Sequence, residues 1–135
     1  MTTSIELRNL RVLGDQRGWL VPAEVGIDVP FEVRRVYWIY GTEVSVRRGF
    51  HAHRVCRQAA VCVRGGCTIT MNDGSGPVEV TLDVPTRLLV IPPMVWHEMY
   101  DFTGDCVLLV LAELPYDEED YIRDRSEFDQ LVLGS

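Results

Sequence analysis

Between Val33 and Ala112 the chain is a succession of short β-branched, aromatic and aliphatic runs. Each is cut off by glycine, proline or Asp-Gly before a helix of useful length could form. Val33 to Tyr40 (VRRVYWIY) alternates, with Val33, Arg35, Tyr37 and Ile39 on one face and Arg34, Val36, Trp38 and Tyr40 on the other. Gln58 to Arg64 and Cys67 to Asn72 flank Gly65-Gly66, which predicts a two-residue hairpin. Asn72-Asp73-Gly74-Ser75-Gly76 predicts a second turn, leading into Val78 to Leu82. Arg87 to Ile91 and Cys106 to Ala112 are continuous apolar runs of strand length, as buried strands require, and Pro92-Pro93 stops the former. Only the tail reads as helix: a turn or two over Tyr116 to Ile122, then Ser126 capping Glu127 to Leu133. So many short strands in 135 residues, with no linker or repeat, predict one all-β domain over 1–135. Closure into a barrel would remove the exposed edges.

Composition narrows the function classes. A hydrophobic share of 47% is enough for a core without disulfide staples. The net charge of −7 argues against nucleic acid as the main partner, because phosphate binding needs a basic face. The acidity gathers at Asp117, Glu118, Glu119 and Asp120, which reads as packing and solvent face, while Arg34, Arg35, Arg47, Arg48 and Arg54 form a local basic group. No apolar run approaches the ~20 residues that cross a bilayer. The first residues lack the basic-then-apolar layout of a signal peptide, so no membrane partner and a cytoplasmic location are expected. The four cysteines, none in a C-x-x-C pair, are then expected to be buried free thiols.

All three histidines fall in two segments. Arg48-Gly49-Phe50-His51-Ala52-His53 puts two imidazoles on one face of a strand, and Pro92-Pro93-Met94-Val95-Trp96-His97 supplies the third after a proline turn. A lone histidine such as His97 is ordinarily satisfied by one hydrogen bond. Two imidazoles facing inward together each need a partner, which points to function.

His-x-His, then Gln58, then Gly65 resembles the first cupin motif, in which Glu is usual at the Gln58 position. Thr86 to Asp101 resembles the second, with Met94 where Gly is usual and Asp101 where Asn is usual. In metal-binding cupins the two histidines, the Glu and the later His hold the ion. Gln58 removes the anionic ligand, which demotes a metal while leaving three histidines that could bind one. A closer resemblance spans nearly the whole chain. Arg34-Arg35-Val36-Tyr37, the RG-x-HAH block, Gln58, Pro93-Met94-Val95-Trp96, Asp105 to Ala112 and Tyr116-Asp117-Glu118-Glu119-Asp120-Tyr121-Ile122-Arg123 are together similar to the sugar 3,4-ketoisomerases.

That resemblance implies a cupin jelly-roll barrel with a short C-terminal helix, no metal or other cofactor, and a dTDP-linked hexose as substrate. It also implies a homodimer, often with an N-terminal strand exchanged between subunits. The reaction moves the carbonyl of dTDP-4-oxo-6-deoxyglucose from C4 to C3 through an enediol, and neutral imidazoles suit both proton transfers. The resemblance makes His51 the main base, His53 its partner or relay, and Tyr37 the donor to the enediol oxygen. Arg48 is implied to contact sugar oxygens or diphosphate, and Gln58 to orient substrate or a histidine tautomer. Arg17 and His97 resemble the pair of the galacto-forming branch, where the gluco-forming branch tends to carry Tyr and Arg. The rival readings are a metal-dependent cupin enzyme and a non-catalytic sugar-nucleotide sensor.

Overall fold

The computed structural model describes residues 4–134. Two five-stranded antiparallel sheets face each other. The first is ordered β1 (Glu6–Asn9), β9 (Arg87–Ile91), β6 (Gln58–Arg64), β11 (Val107–Ala112), β4 (Arg35–Tyr40). The second is ordered β12 (Tyr121–Ile122), β5 (Arg48–His53), β10 (Trp96–Tyr100), β7 (Cys67–Asn72), β8 (Pro77–Leu82). A small hairpin, β2 (Leu13–Asp15) and β3 (Gly18–Leu20), stands apart from both. This is the jelly-roll arrangement that the sequence predicts.

Ile69, Met71, Leu89, Leu108 and Phe102 fill the space between the sheets. The continuous apolar runs have a direct cause. The outer face of the first sheet is also covered, because Val29 and Phe31 from the segment before β4 pack on Ala59, Val61, Leu88, Val90 and Leu111. On the second sheet, α1 (Arg125–Leu133) buries Phe128 against Ala52, Trp96 and Ile122. At β4 the alternation holds: Arg35, Tyr37 and Ile39 turn inward and Val36, Trp38 and Tyr40 are exposed. The cysteines are free and buried, with the Cys62 sulfur 3.7 Å from those of Cys67 and Cys106.

Two local expectations are corrected. Gly65-Gly66 does not close a hairpin, since β6 and β7 lie in different sheets and the turn carries the chain around the corner between them. Gly65 has φ +62, and a Cβ there would sit 2.3 Å from Thr103 Oγ1 and 2.8 Å from Cys106 Cα. The glycine thus serves a close approach to the loop before β11. The tail helix begins at Arg125 with Asp124 as its cap, whose side chain accepts from the Ser126 N–H, so Ser126 is inside it. Within Tyr116–Ile122 the only helical turn is a 3₁₀ turn, Glu118–Asp120, after which β12 pairs with β5. Among the described residues no helix is long and apolar enough to cross a membrane.

Candidate active site

A cavity of about 360 Å³ opens between the sheets, within the ~300–1,000 Å³ range of small-molecule sites. Tyr37 on β4, Gln58 on β6, Arg48 and His51 on β5, and His97 on β10 line it, over an apolar floor that includes Ile69, Met99 and Leu108. The pairing of β5 with β10 places His51 directly opposite His97, with a register shift just beyond. Gly49, at φ +99, lets the strands meet there: a Cβ would lie 3.0 Å from the His97 main-chain oxygen. Phe50, Met94 and Asp101 adopt left-handed backbone at φ 57, 61 and 53. The last two are the positions where cupins usually carry Gly and Asn, the residues that tolerate this conformation best. Strained backbone of this kind gathers around functional sites.

Hydrogen bonds fix the tautomers. His51 Nδ1 lies 3.0 Å from the Gly49 carbonyl and His97 Nδ1 lies 3.2 Å from the Val95 carbonyl. A carbonyl only accepts, so each Nδ1 carries the proton and each Nε2 keeps its lone pair. Burial pushes the His51 imidazole down to about 4 and that of His97 to about 3, and lowers His53 as well. All three rings are therefore neutral at neutral pH, with His51 a weaker base in the free site than an ordinary imidazole. A bound diphosphate would favour its protonation. Burial also pushes the Tyr37 hydroxyl up to about 12, so it keeps its proton. Gln58 Nε2 donates to Tyr37 Oη at 2.9 Å, which leaves the tyrosine O–H free to donate into the cavity.

His53, expected on the same strand face as His51 and as its partner or relay, does not line the cavity. It stands behind the cavity wall, 3% exposed, with its ring edge-on to His51 at 5.1 Å between centroids. Its Nδ1 meets Asp120 Oδ2 at 2.8 Å. Asp120 was not legible as a site residue: it sits in the acidic tail, and only the β12–β5 register, Tyr121 opposite His53, brings it there. Arg35, Tyr121 and Arg123 also line the cavity. Arg35 could have been found, since it shares a strand face with Tyr37.

Arg17 is not in this cavity. It lies on the β2–β3 turn, paired with Asp15 at 2.7 Å and 87% exposed at its side chain. The single chain thus brings together six of the seven expected residues, five on the wall and His53 behind it, and leaves Arg17 outside.

Three imidazole nitrogens within 4.8 Å of one another could approach a metal ion. The donor set differs from that of the metal-binding cupins, because Gln58 lines the cavity as a neutral amide whose oxygen brings no charge to offset a divalent ion.

The family described as "FdtA: WxcM-like, C-terminal" matches residues 3–133. A TDP-4-oxo-6-deoxy-alpha-D-glucose-3,4-oxoisomerase of Aneurinibacillus thermoaerophilus is 44% identical over 124 residues, covering 92% of this chain and 89% of the relative. The H51N mutant of the 3,4-ketoisomerase QdtA from Thermoanaerobacterium thermosaccharolyticum, solved with TDP-4-keto-6-deoxyglucose, superposes with a TM-score of 0.94 at 36% identity. The match covers 99% of this chain and 97% of that one. A double mutant of QdtA, solved with TDP, has arginine for tyrosine and histidine for arginine at the positions numbered as Arg17 and His97 here. Its TM-score is 0.94 at 38% identity, again over 99% and 97% of the two chains. With a histidine-walled jelly roll matched over nearly its full length by such enzymes, the chain belongs to the FdtA, WxcM-like C-terminal family of cupin-type sugar 3,4-ketoisomerases.

Proposed function

We propose that this chain isomerises TDP-4-oxo-6-deoxy-D-glucose to its 3-oxo isomer with no metal ion. One observation carries the reading: a neutral His51, its Nε2 lone pair free, shares a cavity with a Tyr37 hydroxyl that burial keeps protonated. His51 Nε2 takes the proton from C3, and the C4 carbonyl oxygen gains one as the enediol forms. Tyr37 O–H donates to that oxygen where negative charge develops, the preorganised stabilisation that such transition states need. Loss of the O3 proton and protonation at C4 complete the shift, so one proton moves from C3 to C4 and one from O3 to O4. Arg48 at the cavity wall supplies positive charge for sugar oxygens or diphosphate. Gln58 positions Tyr37 rather than a histidine tautomer.

Turnover before and after exhaustive chelation, with metal content measured in parallel, tests this. Activity is expected to survive. Activity lost to the chelator and restored by one particular ion would move the chain to the metal-dependent cupins.

The product we infer is TDP-3-oxo-6-deoxy-D-galactose, from the Arg17 and His97 pair. The arginine and histidine that the QdtA double mutant carries at the same-numbered positions support treating the two as a unit. Arg17 stands exposed outside the cavity of its own chain, where a second copy could receive it. We therefore also propose a homodimer in which the β2–β3 hairpin of one protomer meets the cavity of the other. The hairpin leaves Trp19 75% exposed beside Leu13 and Leu20, an apolar surface that suits burial against a partner.

A further inference from the structure

Asp120 is held in place by more than its neighbour in sequence. Its main-chain carbonyl accepts from Arg54 N–H at 2.8 Å, and its Oδ1 accepts from Val55 N–H at 2.8 Å. The second oxygen, Oδ2, is left to face His53 Nδ1. Both side chains are buried, at 8% and 3% exposure. The other two histidines rest their Nδ1 on neutral carbonyls, so His53 alone is backed by a carboxylate.

The far side of His53 is as informative. Its Nε2 is buried and has no hydrogen-bond partner. A buried polar atom left without a partner is destabilising, so an orphaned imidazole nitrogen beside a reaction cavity calls for a use. The nitrogen belongs to a ring flanked by His51 at 5.1 Å and His97 at 6.1 Å between centroids. A carboxylate behind Nδ1 keeps the proton there, leaves Nε2 as the basic atom, and stabilises the imidazolium that forms when Nε2 accepts a proton.

We propose that Asp120 is a positioning residue that locks His53 in the Nδ1–H tautomer, so that His53 Nε2 can accept and return a proton during isomerisation. The part concerning turnover rests on the ketoisomerase reading; the tautomer does not. In the step itself the proton that His51 Nε2 took from C3 passes on: the N–H bond at His51 Nε2 breaks, one forms at His53 Nε2 while Nδ1–H is kept, and the positive charge on the ring faces the negative charge of Asp120. Return of the proton to His51 restores both groups. His51 remains the residue that meets the sugar.

Asp120→Asn tests the proposal with almost no change of shape. Asparagine can still accept from Val55 N–H through its oxygen, while its NH₂ now faces Nδ1 and forces the proton to Nε2. The expected result is a folded protein that binds TDP as before, with KM little changed and kcat reduced ~10²–10⁴-fold, the scale of losing a proton acceptor. In ¹⁵N–¹H long-range spectra of the free proteins, His53 should be Nδ1–H in the wild type and Nε2–H in the variant. A wild-type His53 protonated at Nε2 overturns the proposal, and so does a variant with unchanged tautomer and unchanged kcat. If Asp120→Asn does not fold, the wild-type spectrum decides. If the wild type does not convert TDP-4-oxo-6-deoxyglucose, the function reading fails while the spectrum still decides the tautomer.

Discussion

His51→Asn is expected to lower the isomerisation rate by ~10²–10⁴-fold, the usual loss when a general base is removed, and to leave the protein folded. Asparagine keeps a side-chain N–H that can reach the Gly49 carbonyl, so the local hydrogen bond survives. What disappears is the free Nε2 lone pair on the cavity wall. His51 is half-buried rather than packed in the core, so the exchange leaves no large cavity and Tm should move little. A steady-state assay with TDP-4-oxo-6-deoxyglucose reads the effect, and retention of most of the activity would remove His51 from the mechanism.

Why His51 was legible and Asp120 was not is a matter of range. The alternation of β4 and the His-x-His spacing of β5 are local, and a period of two residues assigns faces without knowledge of the partner strand. That periodicity gives the faces alone; it is the family resemblance that groups Tyr37, His51 and Gln58. The role of Asp120 depends on a two-residue strand pairing with β5, far away in sequence, and nothing near Asp120 encodes that register. The same limit produced the hairpin expected at Gly65-Gly66. A Gly-Gly turn between two strands is compatible with pairing or with a sheet corner, and the Thr103 to Cys106 loop decides it. Arg17 shows a third case, a residue for which the resemblance implies a role in the site and which one copy of the chain leaves outside the cavity.

Arg17→Tyr combined with His97→Arg is expected to turn the product from the galacto to the gluco configuration at C4. Proton return can occur on either face of the enediol, and the pose of the hexose over His51 selects the face. His97 forms part of the wall opposite His51, so a longer, charged guanidinium there must shift the ring. In the homodimer proposed above, Arg17 of the second protomer would be the matching contact from outside. A difference of ~1.4 kcal/mol between the two protonation barriers changes the product ratio tenfold, so two side chains suffice. Coupling constants at C4 of the freshly formed sugar nucleotide read the outcome. A gluco product from the unmodified enzyme would show that the Arg17 and His97 pair does not set the configuration. A mass of two 15.4 kDa chains is expected in solution, and a fully active monomer would remove the second protomer from the role proposed for Arg17.

If the chain's own side chains remove the C3 proton and protonate C4 through an enediol, the proton they hold between the two steps can exchange with solvent. The direct measurement is incubation of the purified protein with TDP-4-oxo-6-deoxyglucose in deuterated water, followed by NMR of the sugar nucleotide. A 3-oxo sugar with solvent deuterium at C4, put there by exchange of the proton held on the imidazole before its return, is expected from the wild type and is nearly absent with His51→Asn. A sugar that remains a 4-ketone, with no deuterium at C3 or C4 after prolonged incubation, would contradict that proton transfer.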